Sequence, residues 1–210
     1  PGVKLVGGEL GSAEAAARAE AGIARWLQGE IADRLGALDA LKGAANGDAL
    51  GGVARGLAFR LHEAGGALAR RDIAEEVRQL SPAERRALRM LGVRIGEHLV
   101  FMPALVKPAA ARLNAILCAF GPQGGKPPFL PAAGLTSTPA DKRLPAAALT
   151  AAGFHLSGPR AVRFDMLERL ADVIREARPD PKKPAFDLKA EMTALMGCSV
   201  EDLRGVLSAL

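Results

Sequence analysis

The chain has 210 residues, 49% of them apolar and 24% charged, with a formal net charge of +5. That length suits one large domain or two small ones able to bury a proper core, and the composition is ordinary globular usage. Abundant alanine and leucine without a single tyrosine favour helix over sheet, so a mainly α fold is expected.

The amino-terminal PGVKLVGGEL lacks the charged start and apolar run of a signal peptide, and no stretch approaches the ~20 apolar residues that cross a bilayer. No membrane partner and a cytoplasmic setting are expected. Ser12 to Leu41 then reads as one long amphipathic helix capped by Ser12, with Ile23, Trp26, Leu27, Ile31, Leu35, Leu38 and Leu41 recurring at steps of three and four. Gly22, Gly29 and Gly36 repeat every seven residues. Each costs the helix about 1 kcal/mol relative to alanine, which makes sense where a neighbouring backbone approaches closely. Lys42 to Gly52 reads as a small-residue loop ending an N-terminal segment over 1–50.

A basic helical domain is expected over 51–178. Val53 to Ala64 forms its first helix, with Val53, Leu57, Leu61 and Ala64 inward and Gly65 and Gly66 as the stop. Asp72 to Leu80 gives a second. SPAE at Ser81 to Glu84 opens a third: serine caps, proline occupies the first turn and glutamate sits three residues after the cap. Gly92 closes that helix and a β-prone run follows from Val93 to Phe101, after which Pro103 and Pro108 bracket a basic turn at Lys107. Ala109 to Phe120 returns to helical spacing.

Gly121 to Pro145 is too rich in proline and glycine for regular structure. Its GPQGGKPP is not a phosphate loop, since Gly121 precedes Gly125-Lys126 by one residue too few and Pro127 stands where a hydroxyl is required. Phe154 to Phe164 is the second extended segment, expected to pair with Val93–Phe101 as a small β element. Asp165 and Glu168 read as a capping box for a helix through Ile174. A proline-stiffened linker over 179–186 leads to a C-terminal helix-turn-helix over 187–210, in which Leu188 to Met196, Gly197, and Ser199 to Leu210 supply helix, turn and helix.

No catalytic or metal-ligating pattern is readable in the sequence. His62, His98 and His155 share no useful spacing with each other or with Cys118 and Cys198, which read as incidental free thiols. Glu97 and His98 are neighbours on an extended run and face opposite ways. Charge is more informative: residues 1–50 carry 5 basic and 7 acidic side chains, 51–163 carry 16 and 7, and 164–210 carry 7 and 9. The middle block, at +9, suits a polyanion, because each phosphate neutralised releases condensed counterions. Candidate nucleic-acid contacts are Arg55, Arg60, Arg85, Arg86, Arg94, Lys107, Arg143, Arg160 and Arg163, with Arg70, Arg71, Arg89, Arg112 and Lys142 in the same block. Arginine suits bidentate phosphate contact. Aromatics are scarce, so contact with the backbone is expected to outweigh base selectivity.

Three segments resemble one family: RMLGVRIGEHLVFMPALVKP from Arg89, AAGFHLSGPRAVRFDMLERLADVI from Ala151, and MGCSVEDLRGVLSAL from Met196. They are similar, in order from about Arg55 onward, to the region C-terminal to the motor domains in bacterial relatives of the mitochondrial degradosome RNA helicase. Those are ATP-driven superfamily-two enzymes. The resemblance implies an accessory region that guides single-stranded RNA or DNA beside motor domains in the same parent chain. ATP and Mg²⁺ would belong to the parent, with no cofactor and no catalysis in this fragment, which lacks the phosphate loop, acidic Mg²⁺ motif and arginine finger. The competing expectation is a helical protein-interaction module that docks a nuclease or another partner through its acidic ends and terminal helix-turn-helix.

Overall fold

A computed structural model describes residue 4 and residues 12–121, 128–141, 143–178 and 186–210. Helix α1 (Ala13–Asn46) starts at Ser12, whose side chain accepts from the Ala15 amide at 3.2 Å. At 1.5 Å per residue it is about 50 Å long. Only its second half is anchored: Leu35 and Leu41 are buried and Ile31 and Leu38 pack beside them, whereas Ile23 and Trp26 are 40% and 64% exposed. The expected inward stripe therefore holds from Ile31 onward and fails before it. Nor do the heptad glycines admit a neighbour, since a Cβ at Gly22, Gly29 or Gly36 would meet nothing within 4 Å. The helix also runs to Asn46, into the expected loop.

From Gly51 the chain follows a recognisable order. Helix α2 (Gly52–Glu63) buries Ala54, Leu57, Ala58 and Leu61. Gly65 and Gly66 turn it with positive φ, and at Gly66 a side chain would also collide with Leu105. Strand β1 (Ala67–Ala69), a 3₁₀ turn (Arg70–Ile73), α3 (Ala74–Gln79), α4 (Pro82–Met90), β2 (Arg94–Ile95) and β3 (Leu99–Phe101) follow. The strands form an antiparallel sheet in the order β1-β3-β2. Helix, strand, two helices and a hairpin thus follow one another, and α3 and α4, joined by Leu80-Ser81, make a helix-turn-helix. The β-prone run was expected as one piece; Gly96 to His98 break it into the two arms of that hairpin.

A 3₁₀ turn (Pro103–Val106) leads to α5 (Pro108–Ala119). The second sheet comprises β4 (Ser137–Pro139), β5 (Phe154–Ser157) and β6 (Arg160–Arg163), in the order β4-β6-β5, with α6 (Ala146–Ala151) between β4 and β5. Two expectations are corrected here. The two extended segments do not pair with each other, because each already has its own third strand, and β4 arises inside the stretch judged too broken for structure. Much of that stretch, 122–127 and Lys142, lies outside the described residues.

Helix α7 (Phe164–Ala177) is followed by α8 (Ala190–Met196) and α9 (Val200–Ala209). Gly197 turns between the last two at φ 59°, and the Ser199 side chain accepts from the Asp202 amide at 3.1 Å, so the terminal helix-turn-helix is present. Of the expected linker, 179–185 lie outside the described residues, while Phe186 packs into the core. The first sheet has a core on each face, as strand alternation requires. Val100 joins α1–α4, while Leu99 and Phe101 join α7, α8 and α9, with Phe101 and Phe164 rings 5.8 Å apart. Residues 187–210 thus share a core with α7 and do not stand apart. A smaller cluster around Ala115, Leu149 and Phe154 seats the second sheet.

Candidate nucleic-acid interface

Helix α4 holds the position of the second helix in a helix-turn-helix, the one that meets nucleic acid in such units. Its start is fixed by a full capping box: the Glu84 amide donates to Ser81 Oγ at 3.3 Å, and the Ser81 amide donates to the Glu84 carboxylate at 2.9 Å. That carboxylate also accepts from the Ala54 amide at 3.4 Å, which ties α4 to the start of α2. Hydrogen bonds from Ser81 hold the Glu84 carboxyl below its ordinary range.

Beside α4 opens a cleft of about 380 Å³ lined by Arg70, Arg85, Arg89 and Arg94, with Val93 and Ile95 completing it. No carboxylate lines it among the described residues. Arg85 and Arg89 are four residues apart and share a face of α4, Arg94 comes from β2, and Arg70 follows β1. Two of the four have internal duties. Arg85 donates to the carbonyls of Leu80, at 3.3 Å, and Val77, clasping the end of α3. Arg70 donates to Gly96 O at 2.8 Å and lies 3.5 Å from the Glu97 carboxylate. The side chains of Arg89 and Arg94 are exposed and make no hydrogen bond or ion pair with the described residues.

The turn that bounds this cleft is pinned from the far side by Glu168 of α7. Its carboxylate is only 3% exposed and accepts from the amides of Glu97 (2.6 Å), His98 (3.0 Å) and Leu99 (2.7 Å). A buried carboxylate is tolerable only when so satisfied. Glycine is required at position 96, because a Cβ there would run into that carboxylate. Glu168 is therefore no capping residue, and Asp165 is not either: α7 begins at Phe164 with no side-chain cap, and Asp165 binds Arg163.

The remaining sequence candidates are placed quite differently. The side chains of Arg86 and Lys107 are exposed and without partners among the described residues, Arg86 on α4 and Lys107 at the head of α5. Arg55 faces Asp48 at 3.4 Å and donates to Leu50 O; Arg60 pairs with Glu76. Arg143 forms a two-point fork with Asp141 at 2.8 and 2.9 Å, and its hydrogen bonds draw the Asp141 carboxyl down to about 2. Arg163 forks to Asp165 at 2.6 and 3.0 Å. Arg160 is a correction to the expected surface set: it is 8% exposed, with Nε donating to Ser137 Oγ at 2.7 Å and Nη1 to Asp202 at 2.9 Å. It stitches the second sheet to α9.

Two further cavities adjoin the arginine cleft. One, of about 240 Å³, is lined by Arg70, Arg71, Glu97, His98 and His155 among others. The next, of about 390 Å³, shares Glu97 and His98 with it and reaches Arg175, Arg178 and Phe186. Burial, and then the Arg71 charge, push the His155 imidazole below its ordinary range. Cys118 is exposed and Cys198 half-buried, and burial raises the Cys198 thiol. No group of three histidine, cysteine or acidic side chains able to hold a metal occurs among the described residues. None of their helices is long and apolar enough to cross a membrane.

Comparison with protein-family models, with curated proteins and with solved structures finds no match to this chain. Sequence reasoning had named α3 and α4 as separate helices without joining them as a helix-turn-helix. The signal was there: a two-residue connection ending in the serine of a capping box, followed by a glycine stop and an extended run.

Proposed function

We propose that this chain is an accessory nucleic-acid-binding region of an ATP-dependent superfamily-two RNA helicase, guiding a single strand across the α4–β2 cleft. One observation carries the reading: four arginines from three separate elements line one cleft that no carboxylate lines among the described residues, with Glu97 reaching only Arg70 from outside it at 3.5 Å. Arginine at this density, with a counter-charge on Arg70 alone, is what phosphate contact calls for. The motor context rests on the sequence resemblance alone, and the ATP and Mg²⁺ of the parent have no part in the cleft. The test is titration of labelled single-stranded RNA at several salt concentrations. Affinity is expected to fall by about 0.7 log units per log unit of salt for each phosphate contacted. Substituting Arg89→Ala and Arg94→Ala together should reduce that slope by about 1.4 and weaken all sequences alike. An unchanged slope in a folded variant sinks the reading.

A second reading, a helical module docking a nuclease or the parent's motor domains, is favoured by the projecting half of α1. There Ile23 and Trp26 stand exposed beside glycines with open space around them. If it holds in place of the first, Trp26→Ala abolishes partner capture and the cleft arginines prove indifferent to RNA.

A further inference from the structure

We infer that the nucleic-acid strand does not stop at the arginine cleft but continues over Arg70, past His98, to a shelf formed by Arg178 and Phe186. This rests on the reading just given and specifies the path. The three cavities form a chain through shared walls. Arg70 lines both the first and the second, and Glu97 and His98 line both the second and the third. Cations recur along the whole course: Arg89 and Arg94 in the first, Arg71 in the second, Arg175 and Arg178 in the third. A groove that tracks a sugar-phosphate backbone needs this continuity, whereas a site for one small anion does not.

The far end differs chemically from the near end. Arg178 lies over the Phe186 ring, 5.9 Å from its centroid, so a planar cation and an aromatic face are stacked at the rim of the third cavity. Such a pair gives bases a stacking surface, whereas the lining of the first cleft holds no aromatic ring among the described residues. Arg175 is paired with Asp172 at 2.6 Å, but both side chains are exposed and a pair of that kind yields readily to a phosphate. One residue opposes the path. Glu97 is exposed, lines the second and third cavities and holds Arg70 at 3.5 Å, so it places a negative charge at the midpoint and occupies a cation there. The consequence is a strand held at two ends with a weak centre, and an affinity that rises with length only once the strand reaches past Glu97.

The experiment measures binding of labelled oligouridylates of about 4 and about 16 nucleotides to the full chain, spanning the usual range of single-strand site sizes. Arg175→Ala with Arg178→Ala is expected to weaken the longer strand roughly tenfold and leave the shorter unchanged, and Glu97→Gln to tighten the longer roughly threefold. Circular dichroism confirms that these exposed substitutions leave the fold intact. If the longer strand binds the Arg175/Arg178 variant as it binds the unaltered chain, while Arg89→Ala with Arg94→Ala still weakens both lengths, the path is wrong and the cleft stands. If neither strand binds the unaltered chain at low salt, the cleft falls and the path with it.

Discussion

The two sheets share a strand order, first-third-second, yet treat their arginines in opposite ways. Around the first, Arg89 and Arg94 are left bare, with Arg86 bare on the same helix. Around the second, Arg143, Arg160 and Arg163 are each answered by an aspartate: Asp141, Asp202 and Asp165. Equal formal charge thus leaves exposed, unpaired arginines in one place and paired ones in the other. What separates them is local counter-charge. An arginine with a carboxylate two residues away in sequence has a partner of its own, as Arg143 and Arg163 do.

The largest effect should come from the residue that holds the first sheet's hairpin in place. Glu168→Ala leaves three amides, one buried and two part-buried, without their acceptor, and a loss of about 3 kcal/mol is expected, a fall in Tm of roughly 9 °C. Calorimetry or thermal melting decides it. A shift under about 3 °C would mean that water replaces the carboxylate, and that the hairpin does not depend on α7.

A direct contrast between the sheets comes next. Arg89→Ala with Arg94→Ala should weaken single-stranded RNA by roughly tenfold or more, about 1.4 kcal/mol, whereas Arg143→Ala with Arg163→Ala should change affinity less than twofold. Equal losses in the two doubles would erase the distinction, since pairing with aspartate would then not matter. Smaller again is the cap. Ser81→Ala removes an acceptor at the start of α4 and should cost about 1 kcal/mol, close to 3 °C in Tm, without altering the salt slope of RNA binding.

Helix content, the two serine caps and the C-terminal helix-turn-helix were legible because caps, glycine stops and periodicity are local. Ser81 and Ser199 act where the spelling places them. The failures are all non-local. Ile23 and Trp26 fit the stripe of α1 as well as Leu35 does, and nothing in the spacing says that the core ends near Ile31. Glu168 stands three residues after Asp165 as a capping box would have it, but its carboxylate reaches the Glu97–Leu99 amides some seventy positions away. Arg85 was a natural choice for phosphate contact, being on a capped helix, yet part of its function is to close the end of α3. The cleft itself combines Arg70 with Arg94, and only the hairpin and its three-residue partner strand, too short to show an alternating pattern, bring them together.

The smallest expected effect concerns pH and lies where the two sheets approach each other. His155 of β5 is half-buried beside Arg71, which follows β1, and burial first, then Arg71 and His98, lower its pKa below the ordinary imidazole value of 6.5, against the raising influence of Asp72. In the unfolded chain the imidazole takes up its proton as pH falls through about 6.5, while in the folded chain it resists. The unfolded state then binds more protons, so the stabilising contribution is present above pH 6.5 and is lost as pH falls through that value toward the folded pKa. His155→Gln removes this term and should flatten the decline in Tm between pH 7.5 and pH 5.5, with His62 and His98 retained in both proteins as internal controls. Parallel declines in the two proteins would show that the ring is solvated when protonated, and that the first sheet's arginines do not reach across to the second.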